Sequence, residues 1–193
     1  MDFYSTLQIE MPAVCPAPPA TTLKGIYVTA PQSILQHSPP EPLLVLAECI
    51  PDELKARPQW VNWKYAWDGK KWTKHPYNPR TGRKASSTDL LTWSPFKDVL
   101  EAYEAGGYHG VGIVLCSGDP YTGVDLDGCR NPETDELEDW AEKIVAAFGG
   151  YAEVSPSGTG VHIIVRGKAP NKKRGGIEAY SMERFFTVTG EKL

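Results

Sequence analysis

The sequence lacks the signals that mark several large classes of protein. No run of 18 consecutive apolar residues occurs, and the first residues, Met1 to Tyr4, lack the basic and apolar regions of a secretion signal. We therefore expect a soluble intracellular protein with no membrane partner. Cysteine is scarce and no Cys-x-x-Cys pair occurs, so neither a zinc knuckle nor a disulfide framework is predicted. The cysteines, which we expect to be free thiols, are Cys15, Cys49, Cys116 and Cys129.

An excess of positive charge is lacking as well. The 193-residue chain has a formal net charge of -4, which argues against a protein that coats nucleic acid through positive charge alone. The charge is nevertheless segregated: residues 52–89 carry nine Lys or Arg against four Asp or Glu, residues 98–153 carry two against thirteen, and residues 154–193 carry seven against three. An acidic middle between basic segments suits a site that gathers divalent cations beside phosphate-binding surfaces, although solvated helix faces explain the same pattern.

Proline divides the chain into a tail and a folded part. Nine of the seventeen prolines fall within the first 51 residues, where they disfavour both helix and sheet. We therefore predict that residues 1–48 form a Pro-rich, disordered tail, with Leu43 to Ala47 as a short docking segment. Residues 49–193 are predicted to form one folded domain, since 41% of the chain is hydrophobic and can supply a core.

The folded part combines many short strand patterns with a few helix patterns. Helices are predicted to begin near Asp52 and to cover residues 95–103 and 134–148. Strands are predicted at residues 60–65, 70–73, 112–116, 123–127, 152–155, 161–165, 177–180 and 184–189, with a loop over residues 76–84. This order favours an α+β fold, with a mixed or antiparallel sheet backed by helices.

Two aspartates lie at the end of one predicted strand. In Val124-Asp125-Leu126-Asp127 alternate side chains share a face, so the two apolar residues can enter the core while the two aspartates project from the other side. Carboxylates at this spacing suit Mg²⁺ or Mn²⁺, and two such ions can hold the attacking and leaving oxygens of a phosphoryl transfer. An isolated pair is more often a strand that runs into a solvated turn, here at Gly128, so both interpretations stay open.

Further polar side chains follow on later strands. His162 opposes the apolar residues of its strand, and the preceding turn, residues 155–160, is rich in the hydroxyls and backbone donors that cradle phosphate oxygens. Glu178 also opposes apolar neighbours and can supply a third carboxylate, whereas Arg184 opens a strand where its guanidinium can hold a triphosphate. Each of these features also has a purely structural explanation. His162 can be a hydrogen-bonded structural residue and the turn a simple hairpin connection, while Glu178 can be an exposed residue on an edge strand and Arg184 a solvated side chain.

Taken in this order, the motifs resemble those of a known family. The order of motifs is similar to that of the primase-polymerase domains of phage and plasmid replication proteins, in the archaeo-eukaryotic primase superfamily. The motifs are Asp-x-Asp, then Ser-Pro-Ser-Gly-x-Gly-x-His, then a strand glutamate before Arg-Phe-Phe-Thr-Val-Thr-Gly. The resemblance covers residues from about 50 to 193 and includes Gln59 to Trp63, Pro76 to Pro79 and Gly82 to Asp89. Several motifs in the right order are far more specific than any one of them.

The resemblance implies an RRM-like catalytic sheet with an N-terminal α/β subdomain, in a DNA primase and DNA polymerase of phage or plasmid replication. Residues 49–193 would then be the catalytic domain of a nucleotidyltransferase. The implied catalytic residues, which are also the implied ligands of Mg²⁺ or Mn²⁺, are Asp125, Asp127 and Glu178. The implied nucleotide-binding residues are Ser155, Ser157, Gly158, His162 and Arg184.

The resemblance also implies partners and a location. The partners would be nucleoside triphosphates, a single-stranded DNA template, and either a replicative helicase or a further carboxyl-terminal domain, in the cytoplasm of a bacterial or phage-infected cell. Candidates for phosphate contacts with template or primer are Arg83, Lys84, Lys172, Lys173 and Arg174. We expect the last three to lie on a flexible loop, although charges that only offset the acidic helix explain them equally well.

Two other functions stay open. A catalytically weak nucleic-acid-binding module would keep the fold without turnover, and a two-metal nuclease would share the carboxylates without needing contacts to a triphosphate. The chain stops directly after the last family strand and contains no Gly-x-x-x-x-Gly-Lys-Ser/Thr motor motif. We therefore expect either a fragment or a stand-alone core.

Overall fold

The computed structural model describes residues 38–193, and the earlier part of the predicted tail lies outside the described residues. Within this range the strands are β1 (Trp60–Trp67), β2 (Trp72–Tyr77), β3 (Gly110–Leu115), β4 (Tyr121–Leu126), β5 (Tyr151–Val154), β6 (Val161–Arg166), β7 (Lys172–Arg174), β8 (Ile177–Tyr180) and β9 (Arg184–Val188). The α-helices are α1 (Asp52–Lys55), α2 (Phe96–Glu104) and α3 (Asp139–Phe148), and short 3-10 helices cover Ala47–Cys49 and Leu90–Thr92. No helix among these residues is long and apolar enough to cross a membrane.

The strands form two sheets. The first sheet has the order β2-β1-β3-β9, and the second sheet has the order β5-β6-β4-β8-β7. Every pair of neighbouring strands named here runs antiparallel. The α+β class with antiparallel sheets, predicted from the order of strand and helix patterns, is therefore confirmed. The chain passes from the first sheet to the second between β3 and β4, and it returns between β8 and β9.

The buried apolar side chains form two clusters, of which the first also includes Tyr121, Tyr151 and Ile164 from the second sheet. In the first, the Trp60 ring of β1 packs edge-on against Phe96 of α2, with ring centroids 4.7 Å apart. In the second, Val124 and Leu126 of β4 are buried with Ala141 of α3. The alternation predicted for β4 is thus observed, because its apolar side chains enter this core and leave the intervening position for the opposite face.

The two sheets come together at Gly123 of β4. A Cβ atom at this position would lie 2.8 Å from side-chain carbons of both Leu115 in β3 and Phe186 in β9. Carbon atoms do not pack so closely, so any larger residue would push β4 away from the first sheet. Glycine therefore allows the aspartate strand to pass directly over the strands of the first sheet.

Asp119 lies in the turn between β3 and β4 and connects segments of both sheets. Its buried carboxylate accepts hydrogen bonds from the backbone amides of Cys116 and Tyr121 and from Nε2 of Gln59, each at 2.8 Å. Nζ of Lys168 donates to it at 3.1 Å. Burial acts to raise the pKa of Asp119, but these donors outweigh it and hold the pKa below its ordinary value.

One helix begins later than its apolar spacing predicts. We expected the second long helix to start at Thr134, whereas α3 starts at Asp139. The preceding residues instead fold back as a turn, in which Arg130 and Leu137 form an isolated antiparallel bridge. Asp135 has a φ of 63°, which no α-helix accommodates.

Two strands also differ from the prediction. β2 continues through Tyr77 into the expected loop, and Pro76 is accepted there because β2 lies at the edge of its sheet, where one backbone donor can be missing. Lys172 to Arg174, expected as a flexible loop, forms strand β7, which pairs with β8. These basic side chains are exposed, but they stand on a sheet edge with a defined register.

The residues before α1 contact the first sheet. Leu43 donates its backbone amide to His109 and accepts a hydrogen bond from the Tyr103 hydroxyl, and the Leu46 amide donates to Thr189. Leu43 and Leu46, which lie within the predicted tail, therefore contact the folded domain. Cys49, expected as a free thiol, is disulfide-bonded, so that expectation is wrong for this residue. Cys116 and Cys129 are free.

We predict that Asp119→Ala lowers the free energy of unfolding by about 3 kcal/mol, because it breaks a buried ion pair. This is the low end of the range for such pairs, since about a third of the Lys168 side chain is exposed. Urea unfolding followed by circular dichroism measures the loss. Asp98→Ala is the matched control, since it breaks the more exposed pair with Arg80 and should cost about 1 kcal/mol or less. Equal losses in the two variants would contradict a central role for Asp119.

Candidate active site

The central strand of the second sheet brings three predicted site residues together. The register of β4 places Asp125 directly opposite His162 of β6 on one side and Glu178 of β8 on the other. Residues opposite one another in antiparallel strands project from the same face of a sheet. Nε2 of His162 lies 3.6 Å from Oδ1 of Asp125. The three side chains thus form one row across the sheet, on the face away from the second core.

Asp125 is half-buried beside charges of its own sign. Burial raises the pKa of its carboxyl group, the nearby His162 acts to lower it, and the carboxylates of Asp127 and Glu178 raise it further. The protein therefore disfavours the ionised form of Asp125 unless a cation compensates for it. Asp127 follows β4, is exposed, and donates its backbone amide to Gly176 at 2.7 Å.

Glu178 is buried but its charge is neutralised. Its Oε1 is ion-paired with Nζ of Lys173 on the neighbouring strand β7, and its Oε2 accepts a hydrogen bond of 2.6 Å from the Tyr180 hydroxyl. The hydrogen bond from Lys173, followed by that from Tyr180, holds the pKa of Glu178 below its ordinary value. Arg184 lies 4.0 Å from Oε2 and stacks over the Tyr180 ring at 4.6 Å.

His162 is held in place by the first sheet. Its Nδ1 donates to the backbone carbonyl of Thr187 in β9 at 3.1 Å, and its ring packs 5.2 Å from the Phe186 ring. Behind it, Oε1 of the fully buried Glu153 lies 3.8 Å from the same nitrogen and has no hydrogen-bond partner. With Nδ1 occupied in this way, Nε2 is the nitrogen that faces Asp125.

A cleft of about 740 Å³ opens between the two sheets at this row of residues. Asp125 and His162 of the second sheet line one wall of the cleft, and Lys74 of β2 and Arg184 of β9, both in the first sheet, line the other. Burial lowers the pKa of Lys74 and the charge of Arg184 lowers it further, while the charges of Asp125 and Asp127 act to raise it. The cleft therefore has the Asp125 carboxylate on one wall and the cationic side chains of Lys74 and Arg184 on the other.

The sequence prediction missed Lys74 and Glu153. Period-two alternation in β2 places Lys74 on the same face as Trp72, but it does not say that this face looks toward β4. Glu153 stands between apolar residues in a short buried strand, and that isolated charge was the available signal. Its other oxygen accepts hydrogen bonds from Tyr151 and from the Thr189 and Gly190 amides, which explains how a buried carboxylate is tolerated.

The predicted phosphate-binding turn lies at a different cavity from His162. Ser155, Ser157 and Gly158 line a pocket of about 300 Å³ together with Leu43 and Leu44 of the docking segment. The two serine hydroxyls are hydrogen-bonded to each other at 2.9 Å. As the side chains stand, the structure does not place these hydroxyls in the cleft that contains Asp125 and Arg184.

The predicted DNA-binding residues lie at two separate places. Arg83 and Lys84 are exposed in the segment after β2, next to Ser86 and Ser87, which line the cleft. Lys172 and Arg174 are exposed on β7, whereas Lys173 of the same strand is engaged by Glu178.

The donor set suits a divalent cation, although it is not assembled around one. Three carboxylates near one strand end provide the oxygen ligands that Mg²⁺ and Mn²⁺ prefer. Burial, together with repulsion from the other two carboxylates, raises the pKa of Asp125 and favours a cation there. Among residues 38–193, however, no three His, Cys, Asp or Glu side chains are close enough to hold a metal ion as they stand. Glu178 would have to exchange Lys173 for the ion.

Comparison with known proteins agrees with the motif order. No family model matches the chain. The chain is 37% identical over 141 residues to the DNA Primase-polymerase of Nitratiruptor phage NrS-1. The match covers 69% of this chain and 19% of that protein, so the chain corresponds to only about a fifth of its relative. Together with the motifs, this similarity shows that the chain contains a domain of the primase-polymerase family.

Proposed function

We propose that residues 49–193 form the catalytic domain of a template-directed DNA primase and polymerase. The observation that carries the proposal is the register of β4, which places Asp125 between His162 and Glu178 in one row across the second sheet. The similarity to a phage protein named DNA Primase-polymerase supports the same activity. In the reaction, a 3′-hydroxyl group forms a bond to the α-phosphorus of a nucleoside triphosphate, pyrophosphate leaves, and the hydroxyl proton passes to solvent.

Asp125, Asp127 and Glu178 are the proposed ligands of two Mg²⁺ or Mn²⁺ ions. Bound ions would neutralise the charge that develops on the attacking and leaving oxygens. The protein's own contribution is to hold Asp125 partly buried beside two other carboxylates, and its burial, followed by the repulsion from these charges, raises its pKa. Free energy that is unfavourable without the ions is released when they bind, so the same repulsion favours metal loading.

The cations and His162 are proposed to bind the triphosphate. Arg184 is positioned by stacking on Tyr180, Lys74 and His162 line the same cleft, and Nε2 of His162 faces Asp125. Such fixed donors hold a polyphosphate in line with the incoming hydroxyl without further rearrangement. Ser155, Ser157 and Gly158 would join this contact only if the turn that carries them moves toward the cleft.

The remaining parts of the proposal concern partners and location. A single-stranded template would run along the basic segments, which include Arg83, Lys84, Lys172 and Arg174. A replicative helicase or a further domain is proposed as a partner, in the cytoplasm of a bacterial or phage-infected cell. The relative is about five times longer than the matched segment. Its unmatched part is long enough to contain a further domain of this kind.

The test of the proposal is nucleotide incorporation on primed and unprimed single-stranded DNA with Mn²⁺ and deoxynucleotides. We expect the wild type to extend or start strands, and Asp125→Ala and Asp127→Ala each to abolish incorporation by removing a metal ligand. Without metal, both variants should be as thermally stable as the wild type or more stable, because a repelling charge is removed.

The matched control is Glu142→Ala, an exposed carboxylate on α3, which should leave incorporation unchanged. Full activity in either aspartate variant would overturn the site. Degradation of the strand by the wild type would instead identify a two-metal nuclease, and binding without any product would identify a binding module.

His162→Ala should weaken the use of nucleotide more than the binding of DNA. The imidazole is expected to contact the triphosphate, and loss of a hydrogen bond to a charged group raises KM for the nucleotide by about tenfold or more. Steady-state kinetics at varied nucleotide concentration measure KM, and titration of labelled single-stranded DNA supplies the comparison. A variant that melts like the wild type and keeps its KM would return His162 to a structural role.

Lys173→Ala should lower the Mn²⁺ concentration required for half-maximal incorporation. Lys173 competes with the ion for Glu178. Because an ion pair of this exposure contributes little free energy, its removal should raise the affinity for Mn²⁺ by about 1.5- to 5-fold. Lys172→Ala removes an equal charge from the same strand without freeing Glu178, so its half-maximal Mn²⁺ concentration should stay at the wild-type value. An unchanged Mn²⁺ dependence in Lys173→Ala would argue against Glu178 as a ligand.

A further inference from the structure

The β1–β2 hairpin carries a continuous face of aromatic side chains, which we call the aromatic face: Trp63, Tyr65, Trp67 and Trp72. Alternation in β1 puts its three members on one side, and the register pairs Trp67 with Trp72 across the strands. Ring centroids are 5.0 Å apart for Trp63 and Tyr65, 6.5 Å for Tyr65 and Trp72, and 5.5 Å for Trp67 and Trp72. The rings therefore contact one another in sequence along the hairpin.

The aromatic face changes from buried to exposed along its length. Trp63 is fully buried, Tyr65 and Trp72 are half-buried, and Trp67 near the hairpin tip is 41% exposed. In a protein core such rings would be buried on all sides. Here part of their surface remains in water, and a ligand that covers it gains favourable free energy. The exposed end of the face therefore offers ring surface on which planar groups can stack.

The aromatic face leads into the catalytic cleft. Trp72 and Lys74 both line the cleft, and Lys74 lies opposite Tyr65 in the hairpin register. From Lys74, the cleft continues to Asp125 on the opposite wall. A strand that lies along the rings from the hairpin tip would thus arrive at the proposed site of nucleotide transfer.

The charge along this route is positive. Residues 64–75 include four lysines against a single acidic residue, Asp68. The Asp68 carboxylate accepts hydrogen bonds of 2.8 Å from the backbone amides of Lys70 and Lys71, so it is engaged in forming the turn. Lys70 and Lys71 are exposed and directly precede Trp72 in the chain. Alternating rings and cations match a strand whose bases are planar and whose backbone is anionic.

We propose that the aromatic face binds single-stranded DNA, with bases stacked on Trp67 and Trp72 and phosphates near Lys70 and Lys71. Stacking accepts any base, which suits a surface that guides a template of any sequence. The inference rests on the proposed function in one respect only, which is that the bound strand is the template. It adds a binding surface that is distinct from Arg83, Lys84 and the β7 residues.

The test is the binding of fluorescently labelled oligothymidylate, followed by anisotropy in EDTA and without nucleotides, so that no catalysis is required. Trp72→Ala should weaken binding by about 5- to 150-fold, the range expected for one lost stacking contact, and Trp72→Phe should restore most of it. An oligonucleotide of abasic sites, which keeps the phosphates, should bind the wild type and Trp72→Ala equally. Circular dichroism and thermal melting confirm that each variant is folded.

The matched control is Trp140→Ala on α3, where the tryptophan has a similar exposure of 37% but lies outside the hairpin. Its affinity for oligothymidylate should equal that of the wild type. Lys70→Ala combined with Lys71→Ala should reduce the slope of log affinity against log salt by about 1.4.

Binding by Trp72→Ala at the wild-type affinity would overturn the inference, as would an equal loss with the abasic oligonucleotide or with Trp140→Ala. These outcomes are separable from the proposed function. Incorporation by the wild type together with unchanged binding by Trp72→Ala would leave the polymerase intact and remove only the surface. Stacking-dependent binding by a protein that incorporates no nucleotide would support the binding surface and contradict the proposed polymerase activity.

Discussion

The relative position of the two sheets depends on the buried carboxylate of Asp119. Its partners come from the segment before β1, from both sides of the β3–β4 turn, and from Lys168 after β6. Lys168 also donates to the carbonyl of Ser181, just before the chain returns to the first sheet. One charge thus ties together the places where the chain changes sheets. Because the cleft has one wall on each sheet, its width is set by this cluster together with Gly123.

The charges of the site differ in how they are balanced. Glu178 is neutralised by Lys173 and Tyr180, whereas Asp125 faces only the imidazole of His162 at 3.6 Å and the more distant Lys74. A fully neutralised site would have little tendency to take up cations, and a site without partners would strain the fold. The observed arrangement lies between the two, since Glu178 is paired with Lys173 and Asp125 is left poorly compensated.

Much of the site could be predicted because a strand repeats every two residues. That period alone put Asp125, His162 and Glu178 opposite the core faces of their strands, and the antiparallel register then placed them in one row. Lys74 could not be predicted in the same way, since its position depends on how one sheet packs against another. The same holds for Glu153, whose burial depends on amides from Thr189 and Gly190 at the far end of the chain. The start of α3 was missed because a turn with a positive φ at Asp135 interrupts an apolar pattern that reads as helix.

The return of β9 to the first sheet has a consequence for folding. Val111 of β3 pairs with Val188 of β9, and the carbonyl that fixes the His162 ring belongs to Thr187 of the same strand. During synthesis, β3 has no partner on this side until the whole second sheet has been made, and closing so long a loop is slow in comparison with pairing neighbouring strands. The edge of β3 therefore stays unpaired until β9 has been made, and His162 gains the carbonyl that fixes its ring only when that strand is in place.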